Sequence, residues 1–222
     1  LENDLSALGL VTASPATKRA TEQHINNAVN VQLGNKSLVY VRMPDGTFNP
    51  PPAVTASLTR SNNMFRLDER FGVRYDFNTN NLISAWRDAD RNVLSFAYNA
   101  QTNLSTVTNS YGRGFTLTYS GATQLTAVAD SSGHSISYGY TSMNLTSFTN
   151  AEGKAWTYAY DSNRWMRRIV DPLTQTTATN TYDATGMVVT QKNAAGNAWA
   201  FFVVFYWRRV EQDPFGGRST YY

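Results

Sequence analysis

The sequence predicts an all-β protein in which tandem β-hairpin repeats form one extended, curved antiparallel sheet. Its charged fraction is only 16%, whereas its aromatic fraction is 13%, a composition that favours strands and tight turns over helices. Aspartate or asparagine also returns every 20 to 22 residues, at Asp88, Asn109, Asp130, Asn150, Asp171, Asn193 and Asp213. A turn residue that recurs at a fixed period indicates one supersecondary unit stacked many times.

The recurring acidic or amide residues have the sequence chemistry of type I turns. Glycine follows most of them three residues later, at Gly112, Gly133, Gly153, Gly196 and Gly216. Proline occupies the second position of the turn in two copies, as Pro172 and Pro214. A side-chain acceptor, a residue with φ near −65° and a glycine in this order are what such a turn requires. We therefore expect these carboxylates to close turns rather than to take part in catalysis.

The first part of the chain differs from the rest. We treat residues 1–37 as a non-repetitive segment and residues 38–222 as the repeat domain. Ser14 and Pro15 are suited to begin a short helix, as N-cap and first helical residue. From residue 38 onward, residues 38–42 and 47–48 flank a Pro-Asp-Gly turn, and residues 64–67 and 73–75 form a second predicted hairpin.

Within the repeats, a tyrosine stands ten or eleven residues before most of the turn residues. These landmarks are Tyr98, Tyr119, Tyr140, Tyr160 and Tyr182, with Phe77 in the first copy. An apolar residue then restarts a strand after a polar turn that we interpret as a second kind. The strand leading to each tyrosine alternates apolar and polar residues, as in Phe115, Leu117 and Tyr119. A period of two places these side chains on one face of a sheet.

These motifs carry a family resemblance. Tyr182-Asp-Ala-Thr-Gly-Met-Val188, together with the turns that begin at Asp171 and Asp213, resembles the YD repeat of RHS-repeat proteins. The resemblance covers about residues 38–222. In that family the repeats wind into a hollow shell, and its members include insecticidal toxin complex B and C components, polymorphic toxins and teneurins.

The resemblance implies a non-catalytic scaffold segment of such a shell, from a secreted or cell-surface bacterial protein. Its expected partners are protein segments: further repeats, an enclosed toxin domain, or another copy of the chain. Because the chain begins with Leu1, we expect it to be either a processed form or a segment prepared for expression. The family's self-cleaving motif is not recognisable here, so the sequence does not support autoproteolysis or an attached toxin.

Composition excludes several other function classes. The chain has no cysteine, which rules out disulfides and thiolate chemistry, and its two histidines show no metal-ligand spacing. We expect no cofactor, no metal and no nucleic-acid partner, because the net charge is only +3 and the basic residues are scattered. The longest apolar run has seven residues, too few for a membrane span. An enzyme would need carboxylates outside the turns, chiefly Glu69, Asp76, Asp90 and Glu211.

Six residues are candidates for ligand or partner contacts. Trp86, Arg87 and Trp165 are of the types that stack on and hydrogen-bond to sugars, so a carbohydrate-binding or adhesion module is the alternative function. Phe202, Phe205 and Trp207 lie in an apolar stretch that lacks the expected turn residues. This stretch is either a longer strand buried on both faces or an exposed edge that pairs with another chain.

Overall fold

The computed structural model describes residues 27–205 and 208–221. The chain divides into two compact units. Of the described residues, unit 1 contains 27–98 and 106–113, and unit 2 contains 99–105, 114–205 and 208–221. The helix expected from Ser14 lies outside the described residues. In the described part of the chain, no helix has the length and apolar character that crossing a lipid bilayer requires.

Unit 1 begins with a three-stranded antiparallel sheet of β1 (Ala28–Leu33), β2 (Lys36–Arg42) and β3 (Phe48–Asn49). A run of antiparallel strands follows, in which each strand pairs with the next. These strands are β4 (Ser57–Ser61), β5 (Met64–Asp68), β6 (Arg74–Phe77), β7 (Ile83–Arg87) and β8 (Val93–Tyr98). A short 3-10 helix, Arg70–Gly72, separates β5 from β6.

A closed hydrophobic core lies where the three-stranded sheet packs against β4 and β5. Its buried apolar members are Val31, Leu38, Tyr40, Phe48, Ala56, Leu58 and Leu67. Tyr40 and Leu67 are fully buried, and the Tyr40 hydroxyl donates a hydrogen bond of 2.9 Å to the Ala56 carbonyl oxygen. This bond satisfies the one polar group of a side chain that is otherwise surrounded by apolar residues.

Unit 2 is an array of antiparallel hairpins in which successive strands from β10 to β20 pair with each other. Strand β9 (Leu104–Asn109) is divided between the two units. The strands from β10 to β15 are β10 (Gly114–Ser120), β11 (Gln124–Asp130), β12 (Ser135–Thr141), β13 (Asn144–Thr149), β14 (Ala155–Tyr160) and β15 (Met166–Val170). The strands from β16 to β20 are β16 (Thr176–Tyr182), β17 (Val188–Asn193), β18 (Ala198–Phe205), β19 (Arg208–Gln212) and β20 (Arg218–Tyr221).

The predicted fold class is confirmed: the protein is all-β and consists of tandem hairpins in antiparallel sheet. The two hairpins predicted before the repeats are also present, as β2 with β3 and β5 with β6. Strands β1 and β4 were not predicted. Strand β1 lies in the segment that sequence analysis treated as non-repetitive, and the domain division at residue 37 stays a prediction.

A β-bulge precedes the landmark aromatic residue in five hairpins. The register shifts between Asp76 and Phe77, and the same shift occurs immediately before Tyr119, Tyr140, Tyr160 and Tyr182. In three of these hairpins a hydroxyl on the facing strand donates to the carbonyl oxygen before the aromatic residue, from Ser84 (3.1 Å), Thr126 (3.1 Å) and Thr146 (3.3 Å). A bulge bends the strand and re-aims the side chain beside it.

Candidate functional site

The periodic acidic and amide side chains close turns. In the Asp130 turn, Oδ1 accepts the N–H groups of Ser132 (2.8 Å) and His134 (2.9 Å). The Asp130 carbonyl also accepts the N–H of Gly133, and its N–H donates to the His134 carbonyl. The backbone pattern recurs at Asn78, Asp88, Asn99, Asn109, Asn150, Asp161, Asp171, Asp183, Asn193 and Asp213. The predicted turn role is therefore confirmed for the seven residues of the 20-to-22-residue period.

The structure corrects one expectation about these turns. The turn after the landmark tyrosine was interpreted as a different kind from the Asx-x-x-Gly turn. Asp161 and Asp183, which follow Tyr160 and Tyr182, instead make the same backbone and Oδ1 hydrogen bonds as Asp130. The turns at both ends of these hairpins are therefore closed by the same set of hydrogen bonds. The exceptions are the turns after Tyr119 and Tyr140, where no Asx residue begins the turn.

Four of the landmark tyrosines bind their repeat to the one before it through the side-chain hydroxyl. The hydroxyl of Tyr98 donates to the carbonyl oxygen of Ile83 at 2.8 Å, and that of Tyr119 donates to Leu104 at 2.8 Å. Tyr140 and Tyr182 make the corresponding bonds to Leu125 and Met166. Burial raises the pKa of Tyr98. The tyrosine column therefore has a structural role that spacing alone did not reveal.

Apolar side chains form cross-strand rows on one face of the array. One row is Leu117–Val128–Ile136 and the next is Tyr138–Phe148–Trp156, whose ring centroids lie 5.5 and 5.6 Å apart. The opposite face carries small or polar residues, as in the pairs Ala127–Ser137 and Ser147–Thr157. All members of these two apolar rows remain partly exposed to solvent. The described residues of unit 2 thus present an apolar face without a covering layer.

One row in unit 2 has polar residues at two positions that are apolar in the rows described above. Asn180 and Gln191 face each other across β16 and β17, at positions that Tyr138 and Phe148 occupy two repeats earlier. Gln191 Nε2 donates to Asn180 Oδ1 at 3.0 Å, and Asn180 Nδ2 donates to the Met166 carbonyl at 3.1 Å. Asn180 is buried and has its hydrogen-bonding groups satisfied. Its place in an apolar column was visible in the sequence but was not singled out.

Among the predicted contact residues, Trp86 and Arg87 are adjacent on β7. Trp86 belongs to the apolar row of unit 1, between Tyr75 and Leu94. Arg87 faces Arg74, which is paired with Asp68 at 2.7 Å. The Nε atom of Arg87 is buried and has no hydrogen-bond partner among the described residues.

Trp165 stands immediately before β15 and is half-buried. Its ring centroid lies 5.4 Å from that of Tyr182. Its six-membered ring also covers Gly186, where an added Cβ would lie 2.8 Å from a ring carbon. A surface recess of about 370 Å³ beside Trp165 is also lined by Asp161, Arg167 and Asp183.

The apolar stretch near the C-terminus contains β18, which pairs with β17 on one side and with β19 on the other. The edge interpretation is therefore wrong for the described part of this strand. Burial on both faces is also wrong, because 48% of the surface of Phe202 is exposed. Phe205 ends the strand, its side chain is outside the described residues, and so is Trp207. Phe202 and Trp165 do not line a common recess.

The carboxylates outside the turns are dispersed. Glu69 contacts Lys36 at 3.4 Å, Asp76 contacts Arg66 at 2.7 Å, and Glu211 accepts a hydrogen bond of 2.9 Å from the Tyr221 hydroxyl. Within residues 27–205 and 208–221, no group of three or more His, Cys, Asp or Glu side chains could hold a metal ion. His134 is exposed and contacts Asp130 at 2.9 Å through Nδ1.

Comparison with known proteins agrees with the repeat geometry. The family model described as Teneurin YD-shell matches residues 60–202. One similar solved structure is the TcdB2-TccC3-Cdc42 complex, with 9% identity and a TM-score of 0.39, over 85% of this chain and 15% of that chain. Another is the Photorhabdus luminescens Tc holotoxin pore, with 10% identity and a TM-score of 0.41, over 83% of this chain and 13% of that chain.

The chain therefore spans about one seventh of the length of these solved chains. Among curated proteins, none matches the sequence. The family match covers more than half of the chain and coincides with the strands, turns and tyrosine bonds described above. On these grounds the chain belongs to the Teneurin YD-shell family.

Proposed function

We propose that the chain is a non-catalytic segment of a YD-repeat shell, and that its apolar face holds another protein segment. The observation that supports this function is the half-exposed state of the apolar rows in unit 2. Every buried apolar residue found among the described residues lies between Val31 and Leu67, in unit 1. A sheet face of this kind is normally covered by a second layer. An enclosed or presented polypeptide would provide that layer, in a secreted or surface-exposed protein.

The chemistry of the two faces indicates which of them meets the partner. The rows containing Val128, Ile136 and Phe148 offer aromatic and branched apolar surface, which gains free energy when it leaves water. The opposite face offers serine, threonine and alanine, which gain little. An unfolded or extended protein segment with exposed apolar residues would therefore bind the first face.

Binding of a permanently unfolded protein tests this function. Fluorescently labelled, reduced and carboxymethylated α-lactalbumin would be titrated with the protein, and its anisotropy measured. We expect saturable binding, weakened about tenfold by the double change Val128→Thr and Ile136→Thr, because about 1.4 kcal/mol of apolar contact corresponds to that factor. Both changes keep β-branched residues in their strands, and circular dichroism would check that the variant folds.

The matched control is Thr157→Ser on the opposite face, which we expect to leave the anisotropy curve unchanged. Thr157 is exposed and lies between Ser147 and Val170 on the opposite face, outside the two apolar rows. Absence of binding by the wild-type protein would contradict the proposal. Equal weakening by the changes on the two faces would contradict it too.

A second candidate function, carbohydrate binding, is favoured by the recess beside Trp165. Asp161 and Asp183 use Oδ1 to close their turns, and their Oδ2 atoms accept no hydrogen bond from the described residues. An aromatic ring next to free carboxylate oxygens suits the apolar face and the hydroxyls of a sugar. A glycan array would identify ligands, and Trp165→Phe should abolish the response while Trp156→Phe keeps it. A panel without any response to the wild-type protein would exclude this function.

A further inference from the structure

Strand β1 in unit 1 has an edge that the described residues leave unpaired. It pairs with β2 on one side, and the order of its sheet is β1–β2–β3. Natural proteins protect such edges with charged residues, prolines or bulges. The sequence of β1, Ala-Val-Asn-Val-Gln-Leu, contains no charge and no proline, and its register with β2 has no shift. Among the described residues, this edge is therefore open to pairing with another strand.

The pairing register identifies the backbone groups that are available. Leu33 faces Lys36 across a two-residue turn, so Leu33, Val31 and Val29 occupy the hydrogen-bonded positions opposite β2. The N–H and C=O groups of Asn30 and Gln32 consequently point away from β2. Their side chains do not cover these groups, because Asn30 Oδ1 accepts a bond from Ser37 and Gln32 Nε2 donates to Gly34.

A groove of about 520 Å³ lies beside this edge, between β1 and the strands β4 to β6. Residues 28–32 form one wall, and Phe65, Phe77, Arg60 and Asn81 complete the lining. Arg60 is the one charged residue of this lining, and no residue of the lining is acidic. The Arg60 guanidinium lies 5.0 Å from the centre of the Phe65 ring and donates to Asn63 Oδ1, and it contacts no carboxylate of the described residues.

We propose that β1 binds an extended, acidic peptide strand of another protein. The strand pairs with the N–H and C=O groups of Asn30 and Gln32, as in other cases of strand addition to a sheet edge. Its alternate apolar side chains lie in the groove against Phe65 and Phe77, and a carboxylate on the strand pairs with Arg60. This site lies wholly in unit 1, so it is independent of the apolar face of unit 2 and of the function proposed above.

Peptide binding to the full chain tests the proposal. The probe is a fluorescein-labelled hexapeptide of alternating glutamate and valine, and the readouts are anisotropy and amide hydrogen exchange. We expect saturable binding and slower exchange at Asn30 and Gln32. N-methylation of alternate amides of the peptide should weaken binding about thirtyfold, because it removes two hydrogen bonds that together contribute about 2 kcal/mol. A lysine–valine peptide should bind at least tenfold more weakly, because of repulsion by Arg60.

Two variants of the protein test whether the peptide binds at β1 and Arg60. Asn30→Pro removes an outward-pointing N–H, a change that edge strands tolerate, and should weaken binding of the unmodified peptide. Arg60→Gln should reduce the preference for the glutamate peptide over its glutamine analogue. If Asn30→Pro fails to fold, the N-methylated peptide still tests the backbone pairing on the wild-type protein.

Several results would overturn the proposal. The first is no binding at about 1 mM peptide, which corresponds to roughly −4 kcal/mol. The second is equal affinity for the lysine and glutamate peptides. The third is binding that does not slow the amide exchange of Asn30 and Gln32. A concentration-dependent dimer that Asn30→Pro abolishes would also overturn it, because a second copy of the chain would then occupy the edge. Light scattering of the wild-type protein and the variant distinguishes this case.

Discussion

Leu67 in unit 1 and Leu125 in unit 2 are both strand leucines beside a β-hairpin turn, but their surroundings differ. Leu67 is fully buried between the strands of unit 1, whereas Leu125 remains partly exposed. The three-stranded sheet of unit 1 supplies a second layer and closes a core, and the described part of unit 2 contains strands that pack on their sequence neighbours. Unit 1 is therefore stabilised by the packing of two layers, whereas unit 2 is stabilised by repeated turns, tyrosine hydrogen bonds and contacts within the apolar rows.

Truncation of a core leucine should change the free energy of unfolding most, and it distinguishes the two units most clearly. We expect Leu67→Ala to lower the free energy of unfolding by about 2–5 kcal/mol, because it opens a cavity in a closed core. Leu125→Ala should cost about half as much, since its neighbours are partly in solvent. Urea unfolding of the two variants measures both values. Equal costs would show that the half-exposed rows pack as tightly as the core.

Turn backbone strain should give the next largest effect, and it tests how far the repeats depend on their turns. Gly153 has φ of +78° and open space around it, so Gly153→Ala should cost about 1–2 kcal/mol through left-handed strain alone. Arg91 has the same turn position with φ of 68°, and Arg91→Gly should stabilise the protein by about 0.5–1 kcal/mol. Thermal unfolding monitors both. Stabilisation by Gly153→Ala would contradict this account of the turns.

The tyrosine bonds should contribute less per residue. Tyr119→Phe should lower the free energy of unfolding by about 0.5–1.5 kcal/mol, because the Leu104 carbonyl loses its hydroxyl donor. Tyr111 is 80% exposed and its hydroxyl bonds to no described residue, so Tyr111→Phe is the matched control and should be neutral. Urea unfolding at pH 7 compares them. Equal changes in the free energy of unfolding at the two positions would contradict a role of the landmark tyrosines in joining repeats.

The turn carboxylates should give the smallest effect, visible as a dependence on pH. The side chain of His134 and two backbone N–H groups lower the pKa of Asp130, and the side chain of Thr185 and nearby backbone N–H groups lower that of Asp183. A lowered pKa in the folded state stabilises the protein above the unfolded value of about 3.9, and this stability is lost as pH falls through the folded value.

The chain offers its own control for this effect. Asn109, Asn150 and Asn193 close turns of the same geometry without a charge. Asp183→Asn should therefore keep the turn but make the melting temperature fall less steeply below about pH 4. Scanning calorimetry between about pH 2.5 and 6, a range that spans the ordinary pKa values of carboxylates, would measure this change. An unchanged pH profile would mean that Asp183 is not protonated differently in the folded protein.

Much of the repeat architecture could be predicted because its signals are local. The Asx residue and the glycine at Asp130 and Gly133 sit within one turn, and the alternation before Tyr119 sits within one strand. Strand β1 was missed although Val29, Val31 and Leu33 alternate before a Gly-Asn turn, because the segment was interpreted by its helix signal at Ser14. The six contact residues stay predictions, since side-chain type does not indicate whether a tryptophan stacks in a row, as Trp86 does.

By itself, the sequence determined the fold class, the period and the residues that close the turns, because turn geometry depends on φ preferences and on bonds within five residues. The tertiary structure alone decided that β1 to β3 close a core over Leu67, and that the hydroxyls of four tyrosines bond to carbonyls 15 or 16 residues earlier. It also decided that the described residues leave an edge of β1 unpaired beside a groove. These features join residues that are distant in the chain, and no local propensity specifies such contacts.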